Sequence, residues 1–171
     1  MEKLDRNYKW WFGVKSDVQR RKTLHDFKEW QIWWCAIGEN VGVEINGKGA
    51  KFERPIIIHK KFSKLGLMAI PLTTKDHTIE APDWYVHFRF KGRDEYAAIH
   101  QVETISAYRL YRRMGSLDDS DIQRIIDGFE KLYFQKNTPS AKKGVTGKSR
   151  IYLHCIKFLR KIKRCFRELH F

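Results

Sequence analysis

Three short apolar runs between Trp30 and Thr74 constrain this chain most: W-Q-I-W-W-C-A-I, P-I-I-I-H-K-K and L-M-A-I-P-L. Each clusters β-branched or aromatic residues between glycine or charged punctuation, so Trp30–Ile37, Pro55–Lys61 and Leu67–Leu72 read as β-strands. Trp84–Phe90 and Glu95–Val102 join them. The first of these two alternates cleanly, with Trp84, Val86, Phe88 and Phe90 on one face and Tyr85, His87 and Arg89 on the other, as a half-buried antiparallel strand does. Lys91-Gly92 marks the hairpin into the next strand.

Helical spacing occurs elsewhere. Val14–Glu29, with Ser16 as a cap, predicts a helix leading into the first strand. Asp118–Tyr133 predicts a second, because Ile122, Ile125, Ile126, Phe129 and Leu132 share one face and acids occupy the first turn. Residues 149–171 place Ile151, Cys155, Phe158, Leu159, Ile162 and Phe166 on one face and Lys/Arg on the rest, a basic amphipathic helix. The expected fold is mainly β with α additions (α+β): a small SH3-like antiparallel barrel of about five strands with one packed helix after it. The expected organisation is an N-terminal helical extension (1–29), a barrel domain (30–135), a Pro/Gly/Lys/Ser linker (136–148) and the basic amphipathic helix (149–171).

The net charge of +14 is unevenly placed. Residues 136–171 hold eleven Lys/Arg against the single acid Glu168, a net of +10, while residues 1–135 hold only +4. Affinity for a polyanion follows by counterion release. With 42% hydrophobic residues, including 11 Phe and 6 Trp, the chain can bury one good core. Three cysteines, Cys35, Cys155 and Cys165, without a Cys-x-x-Cys pair, fit a reducing cytoplasm. The first ten residues lack an apolar signal region, and no run approaches a membrane span.

The strand ends carry chemistry. Arg54 stands before Pro55, where a missing N–H costs no ladder bond, and its guanidinium can fork two phosphate oxygens. Thr73 closes A-I-P-L-T-T with a hydroxyl on a rigid element. Glu44 lies in a loop with Gly42, Gly47 and Gly49, and His100 brings an imidazole, which suits proton transfer in neutral water. Taken singly, each has an ordinary alternative: a soluble strand end, turn chemistry, a solvated loop acid, a structural histidine. Together they match what metal-free phosphodiester cleavage needs: a base, a charge stabiliser and a proton donor.

Their collective order resembles the MazF/PemK family of toxin endoribonucleases over roughly Trp30 to Leu132. The family's Glu-loop-Arg-Pro pattern falls on Glu44, Arg54 and Pro55, its strand-terminal Thr or Ser on Thr73, and its late Gln-x-Arg-Thr-Ile-Asp segment on Gln101-Val102-Glu103-Thr104-Ile105-Ser106. The Gly115-Ser116-Leu117-Asp118-Asp119 helix entry is also similar. Departures stand at Ile45, where the family commonly has Gln, at Glu103, where it has Arg, and at Val43 and His100. The resemblance implies a dimeric, cytoplasmic enzyme that cuts single-stranded RNA by 2′-hydroxyl attack, without metal or cofactor, and is silenced by an acidic antitoxin. Arg54, Thr73, Glu44 and His100 are the catalytic candidates, with Glu44 or His100 as base, and Gln101, Thr74, Lys51 and Lys60 are the candidates for holding RNA. The alternative is a catalytically weak or inactive RNA- or membrane-binding protein with the barrel as scaffold. The apolar face of the tail helix needs a surface to cover it: its own barrel first, and otherwise an anionic membrane, such as the inner membrane face, or a partner protein.

Overall fold

A computed structural model describes residues 2–135. The linker and basic helix expected over 136–171 lie outside the described residues. The element order is α1 (Glu2–Gln19), β1 (Gln31–Ala36), β2 (Glu53–Lys61), β3 (Gly66–Thr73), β4 (Tyr85–Phe90), β5 (Arg93–Ala98), β6 (Glu103–Ser106), β7 (Leu110–Ser116) and α2 (Asp119–Phe129). Short 3-10 turns at Ile99–Gln101 and Ala107–Arg109 flank β6, and a π-helical turn, Glu130–Phe134, extends α2.

All strands pair antiparallel in the order β4-β5-β3-β2-β1-β7, and β6 also joins β3. Among the described residues the fold is thus mainly β, a curled antiparallel sheet with two helices. Strand β3 is the hub. Along one edge it pairs with β2, and along the other it serves β6 through Gly66–Ala69 and then β5 through Leu72 and Thr73.

Alternation along the strands sends side chains to two cores. Trp33, Cys35, Ile56, Ile58, Leu67 and Ala69 meet Phe27 and Leu110 on one face. Ile32, Ile57, Ile70, Leu72 and Phe88 meet Ile125 of α2 on the other. Consecutive Ile56, Ile57 and Ile58 are all fully buried, which is why this run shows no polar alternation. Each such side chain contributes about 1.5–3 kcal/mol of burial. Helix α2 starts at Asp118, whose carboxylate accepts from the Asp121 N–H at 2.9 Å. It lies close to the sheet because Gly128 leaves room: a Cβ there would come 2.6 Å from a Val86 methyl.

Three expectations are corrected. The sheet has seven strands rather than five. Strands β6 (E-T-I-S) and β7 (L-Y-R-R-M-G-S) bury little beyond Ile105 and Leu110, so they carry too few apolar residues to register as strands, and backbone pairing with β3 and β1 forms them. The strand predicted through Val102 stops at Ala98, where the chain turns through Ile99–Gln101. The first helix spans Glu2–Gln19 instead of Val14–Glu29, and Ser16 lies within it, donating to the Phe12 carbonyl at 3.1 Å. Beyond it, tertiary anchors override helical spacing: Phe27 inserts into a core, and Arg21 donates to the Tyr108 and Leu110 carbonyls at 3.0 and 3.1 Å. The hairpin expected at Lys91-Gly92 is present, with φ of 50° and 78° at the two residues, the doubly positive geometry of a tight hairpin turn.

Candidate active site

Register places the two central residues together. Ile56 of β2 faces Pro71 of β3, so Arg54, two residues before, and Thr73, two residues after, emerge on the same face of adjacent strands. Arg54 is half-buried and its guanidinium ties down two backbone segments. Its Nε donates to the Asn46 carbonyl at 2.7 Å and its Nη1 to the Leu72 carbonyl at 3.0 Å, beside Thr73. Burial holds its pKa below the ordinary guanidinium value, and nearby Tyr85 partly offsets this. A guanidinium starts so high that it keeps its charge in neutral water. The Thr73 hydroxyl accepts from the Lys75 N–H at 3.2 Å, which leaves its proton free to donate outward. Arg54, Thr73 and Thr74 line a cleft of about 350 Å³ together with Trp34, Arg93 and Glu95.

The loop between β1 and β2 gathers the remaining candidates. Gln101 pins it from outside: its Oε1 accepts from the Ile45 N–H and its Nε2 donates to the Val43 carbonyl, both at 2.9 Å. Glu44, between those two residues, is exposed and accepts from the Val41 N–H at 2.9 Å. Since Arg54 holds the carbonyl of Asn46, a single loop links Glu44, Gln101 and Arg54. His100 stands beside Gln101. Its Nδ1 is 3.1 Å from the Trp84 carbonyl and therefore carries the proton, while its Nε2 faces the Gln101 amide nitrogen at 3.3 Å and accepts.

Residues 28–133, more than half of the chain, match the family described as "PemK-like, MazF-like toxin of type II toxin-antitoxin system". The chain belongs to this family of toxins. Comparison with curated proteins finds no match. Among solved structures, MazF from Deinococcus radiodurans has a TM-score of 0.50 at 13% identity, over 65% of this chain and 97% of that one. An endoribonuclease in complex with its cognate antitoxin from a mycobacterial species has a TM-score of 0.48 at 16% identity, over 62% and 93%. At these identities the likeness is one of fold.

The two lysine candidates make contacts of their own. Lys60 pairs with Glu29 at 3.0 Å at the opposite end of β2, some six residues or about 20 Å from Arg54. Lys51 lies over the Tyr111 ring, 5.2 Å from its centroid. Two residues outside the pattern read from the sequence act on Arg54. Asn46 supplies the carbonyl that orients Arg54. Tyr85 lies within electrostatic range of that guanidinium. The alternation of W-Y-V-H-F-R-F had already set Tyr85 on the less buried face, which was the available signal.

Glu103, where the family pattern has Arg, is half-buried on β6. Burial pushes its carboxyl above 4.5, Arg109 draws it back, and the charge of Glu44 pushes it up again.

Proposed function

We propose that this toxin is a metal-independent endoribonuclease acting on single-stranded RNA, with Arg54 and Thr73 at the scissile phosphate. The supporting observation is the juxtaposition of the two side chains on adjacent strands, with the Glu44 loop tied to the same guanidinium. In this mechanism a base takes the proton of the ribose 2′-hydroxyl, O2′ bonds to phosphorus, and the bond from phosphorus to O5′ breaks. The departing O5′ takes a proton from the Arg54 guanidinium or from water, and the proton held by the base returns to solvent. Arg54, placed where charge develops, stabilises the phosphorane by charge-assisted hydrogen bonds, and the Thr73 hydroxyl donates to a phosphoryl oxygen.

Glu44 is the better base of the two candidates. The lone pair of His100 is engaged by Gln101, whereas the carboxylate of Glu44 stands exposed on its loop. Gln101 then acts by fixing that loop, and Thr74 extends the wall of the cleft. Membership of a toxin–antitoxin family supports an acidic antitoxin as protein partner, and we place the enzyme as a homodimer in the cytoplasm.

The test is incubation of the full chain with long RNA in EDTA. Cleavage should persist and leave a 2′,3′-cyclic phosphate on one fragment and a 5′-hydroxyl on the other, and a 2′-deoxy substitution at the cut site should block it. Arg54→Ala and Thr73→Ala should each lower the rate on the order of 100-fold. Their circular dichroism should match the parent, because neither side chain belongs to an apolar core. Equal cleavage by Arg54→Ala and the parent chain would remove the enzyme reading.

A further inference from the structure

At the start of β4, four rings cluster outside every core formed by the described residues. His77 stacks on Tyr85 at 5.0 Å and 25°, Tyr85 meets His100 edge-on at 4.9 Å, and His100 lies 5.0 Å from Trp84. None of the four joins the three buried clusters, and Trp84 is 50% exposed. Aromatic side chains with this much area normally bury it in a core or an interface.

The segment that presents them is held by its own bonds. The Asp76 carboxylate accepts from the Thr78 N–H at 2.8 Å, Ala81 N–H donates to the His77 carbonyl at 2.9 Å, and Trp84 N–H to the Ala81 carbonyl at 3.1 Å. Beside the rings is a second cleft of about 420 Å³, lined by His77, Glu80, Pro82, Asp83, Trp84 and Tyr85. Its lining holds neither Lys nor Arg, and of its two carboxylates Asp83 pairs with Lys131 at 2.5 Å, which leaves Glu80 as the acid facing a flat ligand with N–H donors. Tyr85 belongs to this cleft and also feels the charge of Arg54. Strand β4 is two strands from β3, about 10 Å from Thr73 across the sheet.

We propose that His77, Trp84, Tyr85 and His100 form a platform on which a nucleobase of single-stranded RNA stacks beside the phosphate held at Arg54, with Glu80 accepting hydrogen bonds from that base's amino group. The choice of RNA as occupant rests on the ribonuclease reading above. Stacking on aromatic rings is how unpaired bases are generally held, because every base presents a π-face, and a carboxylate accepts from the amino group of an unpaired base. Glu80 is positioned for this by His77, whose Nδ1 lies 3.2 Å from its Oε2. The platform thereby gives the enzyme a site that reads base identity, separate from the groups that act on the phosphate.

The experiment measures binding without cleavage. Full-length Arg54→Ala protein is titrated, by fluorescence anisotropy, with labelled RNA homopolymers of about ten nucleotides and with an abasic strand of the same length. Adding Trp84→Ala or Tyr85→Leu should weaken the base-bearing strands about tenfold and leave the abasic strand unchanged. Glu80→Gln should narrow the preference for adenine and cytosine strands over uracil. Equal loss on abasic and base-bearing strands, or no loss on either, would overturn the platform. A purified antitoxin that loses affinity for the Trp84→Ala variant while RNA does not would assign the rings to protein recognition instead. The two readings fail separately. If the parent chain cuts no RNA yet the base-dependent loss persists, the platform stands and the ribonuclease reading falls. If the parent cuts RNA and the variants show no base dependence, the platform alone falls.

Discussion

Glu103 shows how one side chain couples the stability of this protein to pH. Its carboxyl is raised above its unfolded value of 4.5, first by burial, with Arg109 opposing and Glu44 adding to the shift. For an acid shifted upward, ionisation costs folding free energy, so its contribution worsens as pH rises from the unfolded value through the folded one. Glu103→Gln should therefore unfold at a higher urea concentration than the parent at pH 7, and the gain should vanish near pH 4. Arg109 would not be orphaned, since its Nη1 already donates to the Ala36 carbonyl at 3.0 Å and its guanidinium lies 5.3 Å from the centre of the Trp11 ring. A variant less stable than the parent at pH 7 would show that Glu103 is held as a favourable ion pair instead. Arg54 makes the complementary point. Its two bonds to the Asn46 and Leu72 carbonyls fix the group that the proposed chemistry depends on, a double attachment that a lysine ammonium could not reproduce in one plane.

Among the elements, α1 matters most for the site although it precedes the family match at residue 28. Its Trp11 is 5% exposed and packs against Phe52, with ring centroids 5.6 Å apart, and against the backbone of Gly38. Gly38 has φ of 105°, and a Cβ there would sit 2.5 Å from the Trp11 ring, so glycine is required twice over. The Tyr8 hydroxyl donates to the Asn40 carbonyl at 2.9 Å. From there Asn46 reaches the Asn40 N–H at 2.6 Å through its side chain, and its carbonyl holds Arg54. Helix α1 thus braces the loop that carries Glu44 and orients the guanidinium. Trp11→Ala should destabilise the protein by about 3–5 kcal/mol. Hydrogen exchange should quicken in residues 38–54 more than in β4 and β5. Uniform acceleration across the sheet would mean that α1 supports the fold as a whole and not this loop.

For the whole molecule, charge is divided between a mildly basic stretch, residues 1–135, and a strongly basic one, residues 136–171. Residues 1–135 carry +4 of the net +14, and residues 136–171 carry +10. The affinity of a polycation for RNA falls with salt in proportion to the phosphates it neutralises. Deleting residues 136–171 should therefore flatten the dependence of log affinity on log salt, measured by anisotropy with a single-stranded oligonucleotide. The family match lies wholly within the part retained, so cleavage that depends on Arg54 should survive the deletion. An unchanged salt slope would show that the tail contributes no phosphate contacts. Among the described residues, no helix is long and apolar enough to cross a membrane.

The sequence alone determined the features that depend on local chemistry. Clustered β-branched and aromatic residues set β1 to β4 to within two residues, the positive-φ dipeptide Lys91-Gly92 set the hairpin, and periodic isoleucines behind Asp118 set α2. The order Glu44, Arg54-Pro55, Thr73 and Gln101 stood out only through its resemblance to the MazF/PemK pattern. What required the tertiary structure was everything decided by partners distant in sequence. Strands β6 and β7 exist because β3 and β1 supply their hydrogen bonds, and α1 stops at Gln19 because Arg21 and Phe27 are needed elsewhere. The same holds for the site: no local signal tells that Asn46 orients Arg54, that Gln101 occupies the lone pair of His100, or that Lys60 pairs with Glu29 at the far end of β2. Propensity and spacing act over a few residues, whereas these roles follow from register and from which backbone group is left to be satisfied once the sheet has closed.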